Sequence, residues 1–256
     1  MNLARLRGSL DDDFTLLRSA LAATGPDAPV PPCPGWTVAE LALHVTYVYL
    51  HKTECIRLGA FPDPWPPAGA DPDPKGAVDL AALDAAYAGL LAQLDGHRPA
   101  DHAASWYEPD QTVGFWIRRM AHETLIHRVD AELAAGRPVS PVPEDVAVDG
   151  VDEILKIMMG YGSVRWREDF GALLDVPDAR PVAVAAGHHA WTVTATPSGV
   201  VVTEAASGFD GEAVVTGEPQ AMLLWLWNRA GDEAVRQAGD QKLLDRFQAL
   251  CTAATR

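Results

Sequence analysis

The stretch from Thr112 to Gly136, TVGFWIRRMAHETLIHRVDAELAAG, decides how the chain is read. No proline interrupts it, and its composition predicts a helix over about 111–135, capped by Gly136 and stopped by Pro138. Inside it lies His122-Glu123-x-x-x-His127. Glu123 and His127 are four residues apart and share one helical face, so a carboxylate and an imidazole can reach one cation. The zinc-protease pattern is different: it needs histidines four apart with a glutamate between them as base. Here the glutamate is better placed as a ligand. His122 points roughly 100° away from Glu123 and is the weaker ligand candidate.

Two ligands from one helix need a third from elsewhere. The segment PVPPCPGW (29–36) cannot be helical throughout, because its prolines fix the backbone and lack donors. A helix start follows it. Thr37 is the cap and Glu40, three residues on, completes a capping box, with Trp36 and Leu41 spaced as a hydrophobic staple. The helix runs to about Gly59 and carries His44, Val48, His51 and Cys55 near one line. His44, in LALHVTY, is the preferred third ligand. His51 is the alternate, but it lies about 10 Å further along the axis, so the two can hardly share one ion. Two histidines, one glutamate and an open position suit a catalytic zinc. A pair at four residues also arises as a plain surface hydrogen bond, and His44 alone reads more readily as a core or hydrogen-bonded histidine than as a ligand.

The rest of the first half is helical. Leu3, Leu6, Leu10, Phe14, Leu17 and Leu21 paint one apolar stripe over 3–24, ended by Gly25-Pro26. Leu80, Leu83, Tyr87, Leu90, Leu91 and Leu94 mark a helix over 79–95. Between them, AFPDPWPPAGADPDPKG (60–76) is a long loop of the kind that either shapes a site or is a surface insertion. Four helices joined by loops predict a bundle, with a further helix over 144–160. The texture then changes. PVAVAAGHHAWTVTATPSGVVVTEAA (181–206) reads as two strands around the turn Pro197-Ser198-Gly199, EAVVT (212–216) as a third, and helices are expected at 218–230 and 240–250. The expected organisation is a metal-binding helical bundle over 1–165 and a C-terminal α+β domain over 166–256.

Composition narrows the partners. The 256 residues hold 35 acidic against 20 basic side chains, a formal net charge of −15 at pH 7. That field repels phosphate backbones and anionic lipid, which argues against a nucleic-acid binder. Three widely spaced cysteines, Cys33, Cys55 and Cys251, do not form a disulfide framework and point to a reducing compartment. No apolar run reaches membrane length and the N-terminal residues lack a signal peptide's core, so a cytoplasmic location is expected.

The remaining candidates each carry a competing explanation. Asp130, three residues after His127, either orients that imidazole or is an ordinary surface charge. Arg119 either pairs with Glu123 four residues on or, with Arg118, attracts an anionic ligand. Cys33 reads as packing under the second helix rather than as a nucleophile, since no histidine adjoins it. His188-His189 alternate across a strand and make a weak metal signal. Trp225 and Trp227 read as core, and Arg229 either closes its helix electrostatically or reaches into a cleft.

PPCPGWTVAELALHV (31–45) together with RRMAHETLIHRVDAE (118–132) resembles the mycothiol-dependent maleylpyruvate isomerase family, within the DinB-like superfamily of metal-binding four-helix bundles. GEPQAMLLWLWNRAG (217–231) is similar to that family's C-terminal segment. The resemblance implies zinc held by His44, Glu123 and His127, and a DinB-like bundle followed by a sterol-carrier-like α+β domain. It implies mycothiol as a low-molecular-weight thiol cofactor that adds to the double bond of maleylpyruvate, permits rotation and leaves as fumarylpyruvate forms. Arg229 matches an arginine that assists that reaction, and Arg119 and His51 are the candidates for contacting the cofactor. The long loop beside the proposed pocket and the aromatic and arginine content of the second domain depart from what a small dicarboxylate calls for, so the resemblance supports metal and thiol chemistry on a small electrophile, as isomerase or thiol S-transferase, more than one particular substrate. A non-catalytic, metal-stabilised ligand-binding or regulatory module is the main rival, and a metallohydrolase a third reading.

Overall fold

The computed structural model describes residues 2–67, 76–176, 179–205 and 212–255. The chain divides into two compact units, Met1–Ser140 and Pro141–Arg256. Four helices build the first: α1 (Leu3–Ala22), α2 (Val38–Leu58), α3 (Leu80–Gly96) and α4 (Val113–Ala134). The α1 stripe of Leu6, Leu10, Leu17 and Leu21 is buried, and α1 packs along α4. Phe14 of α1 stacks on Tyr87 of α3 with ring centroids 3.6 Å apart. Helix α2 packs against both α3 and α4, which leaves α4 buried on nearly every side.

The approach to α2 is rigid for a local reason. Val30 N–H donates to Trp36 O at 2.9 Å, and inside that loop Cys33 and Trp36 N–H donate to Val30 O and Cys33 O. The capping box then forms as expected: Glu40 N–H donates to Thr37 Oγ1 at 3.3 Å, and Thr37 N–H to Glu40 Oε2 at 2.7 Å. Gly59, left-handed at φ 61°, ends the helix. Of the long loop at 60–76, positions 68–75 lie outside the described residues.

In the second unit, α5 (Glu144–Glu153) continues into a π-helical segment, Ile154–Tyr161, followed by the single turns α6 (Gly162–Arg165) and α7 (Arg167–Phe170). The sheet comprises β1 (Pro181–Ala186), β2 (His189–Thr196), β3 (Gly199–Ala205), β4 (Ala213–Gly217) and β5 (Arg236–Gly239), in the order β3-β2-β1-β4-β5. Among the described strands only the β1–β4 pair is parallel. Helix α8 (Pro219–Leu226) packs on α5, and α9 (Gln241–Ala254) packs on β1, β4 and β5.

Three differences from the sequence-based expectation have physical causes. Residues 181–205 form three strands rather than two, because Gly187 at φ 58° turns the chain between β1 and β2. The fifth strand, RQAG, is too short and polar to show a pattern; it pairs with β4 where Gly239, at φ 101°, leaves room for the backbone of Glu212. The boundary between units falls at 140/141 rather than 165. Helix α5 presents Val146, Ala147 and Val151 as core and packs on α8 and the π-helical segment, so the helix expected to end the first domain begins the second unit.

Candidate metal centre

Helices α2 and α4 bring His44, Glu123 and His127 together. One potential ligand atom from each lies within 4.8 Å of the others. Glu123 Oε1 is 3.4 Å from His44 Nε2 and 3.3 Å from His127 Nε2. Zinc–nitrogen and zinc–oxygen bonds of about 2.0–2.1 Å in a tetrahedron place ligand atoms about 3.3 Å apart. These two edges therefore already have the length that a shared cation requires, and are long for direct hydrogen bonds. The imidazoles meet edge to face, centroids 4.9 Å apart. The donor set, two nitrogens and a carboxylate, is one that a zinc ion accepts.

The helix pair is locked beside the cluster. Tyr49, one turn on from His44, shares a buried 2.7 Å hydroxyl–hydroxyl hydrogen bond with Thr124, the neighbour of Glu123. This fixes the register of α2 against α4.

The charges are arranged to keep Glu123 ionised. Burial pushes its carboxyl up, but the Arg119 guanidinium and the two imidazoles outweigh this and hold it well below the usual range. Arg119, itself buried, donates through Nη2 to Glu123 Oε2, leaving Oε1 toward the histidines. On the far side of His127, Nδ1 lies 2.9 Å from Asp130 Oδ2, whose side chain is fully buried. Burial lowers the His127 pKa, yet the hydrogen bond to Asp130 and the charge of the nearby Glu123 carboxylate raise it to about 9. Asp130 is thus no surface charge, and its contact turns Nε2 toward Glu123.

Cys33 completes this shell, which the sequence reading missed. Its thiol donates to the same Asp130 Oδ2 at 3.5 Å. The hydrogen-bonded turn at 30–36 carries it there. The motif PPCPGW held the signal, but nothing local in it points to position 130.

The cluster is open on one side. His44 has 36% of its side chain exposed, against 11% for His127. His44 borders a cleft of ≈ 350 Å³ that Trp36, Tyr47 and Trp65 also line. Trp65 comes from the described part of the long loop, so that loop does shape the cleft.

Within the first unit, His51 and His122 are not part of the cluster. The ring of His51 meets the edge of Trp65 at 4.8 Å, and its Nδ1 is 3.1 Å from Lys52 Nζ and 3.5 Å from Cys55 Sγ. Burial, helped by the Lys52 charge, lowers its pKa to about 4. His122 is buried on another face of α4. His188 sits in the β1–β2 turn and His189 opens β2, both exposed. Arg229 belongs to the second unit. Its Nη1 donates to Trp227 O at 2.7 Å and the guanidinium lies 5.8 Å from the Trp227 ring centre. Trp225 is core, its Nε1–H donating to Asp232.

A helical bundle with two imidazoles and a carboxylate brought together between its second and fourth helices, followed by an α+β unit, defines a two-part class with a candidate metal centre in the bundle. The chain belongs to the mycothiol-dependent maleylpyruvate isomerase family: residues 8–132 match the model of the mycothiol maleylpyruvate isomerase N-terminal domain and residues 145–246 that of the family's C-terminal domain. Among solved structures it is similar to a mycothiol-dependent maleylpyruvate isomerase, with TM-score 0.62, 15% identity and 93% of each chain covered. A point mutant of that isomerase matches at TM-score 0.61 and 14% identity, again over 93% of each chain. No curated protein sequence matches the chain. No described helix is long and apolar enough to cross a membrane.

Proposed function

We propose that this chain is a divalent-metal enzyme, loaded with zinc, that uses a low-molecular-weight thiol, mycothiol, to isomerise or conjugate a small electrophile. The observation that carries the proposal is Glu123 Oε1 standing at 3.3 and 3.4 Å from two imidazole nitrogens on different helices. His44, Glu123 and His127 would hold the ion. A zinc ion there would act as a Lewis acid and stabilise a thiolate at neutral pH.

The chain's own residues prepare the centre. Arg119 fixes one carboxylate oxygen of Glu123 and keeps the group ionised. Asp130 holds His127 Nδ1 and so presents Nε2. The exposed edge of His44 and the cleft beside it leave a way in for thiol and electrophile. That opening favours a catalytic site over a purely structural one, since structural zinc sites are closed by protein ligands. The three free cysteines and the thiol cofactor fit a cytoplasmic location.

Elemental analysis of protein purified without a metal-affinity tag should find one zinc per chain, lost in both His127→Ala and His44→Ala. Mycothiol titrated into the zinc protein should bind, and mycothiol-dependent turnover of an electrophile panel should follow. Full zinc occupancy in His127→Ala would overturn the ligand assignment.

A further inference from the structure

Resting on that reading, a buried cation further along the seam between α2 and α4 shows what the electrophile carries. Trp116, Arg119, Glu123 and His127 recur at steps of three and four and share one face of α4. Facing the Trp116 end of that row is Lys52 of α2. Its ammonium lies 5.0 Å from the centre of the buried Trp116 ring and 3.1 Å from His51 Nδ1, to which it donates. It is close enough to Glu123 and Arg119 for their charges to act on it.

These two contacts of the ammonium are with neutral groups. His51, its pKa lowered to about 4, is uncharged at pH 7, and Trp116 offers the electron-rich face of a ring. Such contacts offset only part of the cost of taking an ammonium out of water. Burial accordingly pulls the Lys52 pKa down. A carboxylate would give this cation a charged hydrogen-bond partner.

The cleft beside His44 leads toward it. Trp65 lines that cleft, and its ring meets the His51 ring with centroids 4.8 Å apart. The imidazole that holds Lys52 therefore touches the wall of the cleft. Lys52 is eight residues beyond His44, about 12 Å along the helix axis. Its flexible four-carbon stem lets the ammonium turn from His51 toward an arriving anion. A molecule reacting beside the ion brings a group several bonds away toward this lysine.

We propose that Lys52 is a substrate-binding residue that selects electrophiles bearing a carboxylate several bonds from the reacting carbon. His51 holds the ammonium until that carboxylate replaces it as acceptor.

Calorimetric titration of the full, zinc-loaded chain with adipate, an unreactive six-carbon diacid, and with its monoamide tests this. Each ligand has one carboxylate for the ion, and only adipate has a second for Lys52. Adipate should bind about tenfold more tightly or better, the order of one hydrogen bond between charged groups. Lys52→Met keeps the stem, removes the charge and should bring the two affinities together, whereas Lys52→Arg should retain the preference. A lysine that merely packs on Trp116 would leave the ratio untouched. An unchanged ratio in Lys52→Met overturns the proposal, and Lys52→Gln supplies the same reading if the methionine variant folds poorly. A zinc titration and the same ligand pair on zinc-free chain tell the two failures apart. Absent zinc binding with a Lys52-dependent ratio intact removes the proposed function alone; normal zinc binding with an unchanged ratio removes this inference alone.

Discussion

Helix α4 carries two clusters of buried charge, and they are built to opposite plans. On the side toward α1, the Arg128 guanidinium donates to Asp13 at 3.0 Å, to Glu132 at 2.8 Å and to Ser140 O at 3.0 Å. Glu132 in turn accepts from Ser140 N–H and Oγ–H. Toward α2, Glu123 Oε1 stands between two ring nitrogens at separations that suit a bridging ion better than a proton. The first cluster spends its charges on each other inside the bundle; the second holds an oxygen and two nitrogens toward a common point and opens onto a cleft. Burial and charge alone do not mark a functional site. What distinguishes the second cluster is donor atoms directed at a common point rather than at partners.

The largest effect should come from breaking the closed cluster. Arg128→Met leaves Asp13 and Glu132 as buried carboxylates without a cation, and should cost about 3–5 kcal/mol of unfolding free energy in urea titration. A loss no larger than that of an exposed ion pair, below about 1 kcal/mol, would break the contrast between the two clusters. The open cluster should respond in the other currency. His127→Ala or Glu123→Gln should weaken zinc binding by more than the roughly 10–100-fold that outer partners carry, while the metal-free protein loses less stability than Arg128→Met does. Competition against a chromophoric chelator measures the first quantity and urea titration the second.

The two clusters also differ in how far they could be read from sequence. Glu123 and His127 are four apart on one helix, so their shared face follows from helical geometry. His44 followed from a helix start whose capping box, Thr37 with Glu40, is local chemistry and formed as expected. Asp130 was readable as an orienting group because it is one turn from His127. The closed cluster was not readable: Arg128 and Asp13 are 115 positions apart, and nothing in either neighbourhood names the other. Cys33 and Asp130, 97 apart, were hidden for the same reason. The two-part architecture was legible from the change in texture, whereas its boundary was not, because α5 has the same helical pattern whichever unit it joins. The β1–β2 turn escaped because it depends on the backbone of a single glycine.

The group behind His127 offers a graded test of the open cluster. Asp130→Asn keeps the volume but removes the charge that orients Nδ1, and zinc affinity should fall about 10–100-fold. Cys33→Ala removes only a weak sulfur donor to the same oxygen. Its effect on zinc affinity should stay below that of Asp130→Asn, within about tenfold. If Cys33→Ala equals or exceeds Asp130→Asn in the same competition assay, the thiol is itself part of the metal-binding machinery and the outer shell must be redrawn.

The smallest effect concerns His51, which shares α2 with His44 but stands outside the cluster. Burial and the Lys52 charge lower its folded pKa to about 4, whereas an unfolded chain's histidine titrates near 6.5. Between these values the unfolded chain takes up a proton that the folded one refuses. Stability carried by the neutral ring is therefore present above about pH 6.5 and is lost as pH falls toward 4. Because the ring is partly open to water the slope should be shallow. Replacing His51 with Gln removes the titrating group, so the difference in unfolding midpoint between pH 7 and pH 5 should narrow relative to wild type, with zinc affinity at pH 7 unchanged. An undiminished difference would show that the acid sensitivity lies elsewhere. A fall in zinc affinity would instead tie this histidine to the centre two turns away, from which its contacts with Trp65, Lys52 and Cys55 now separate it.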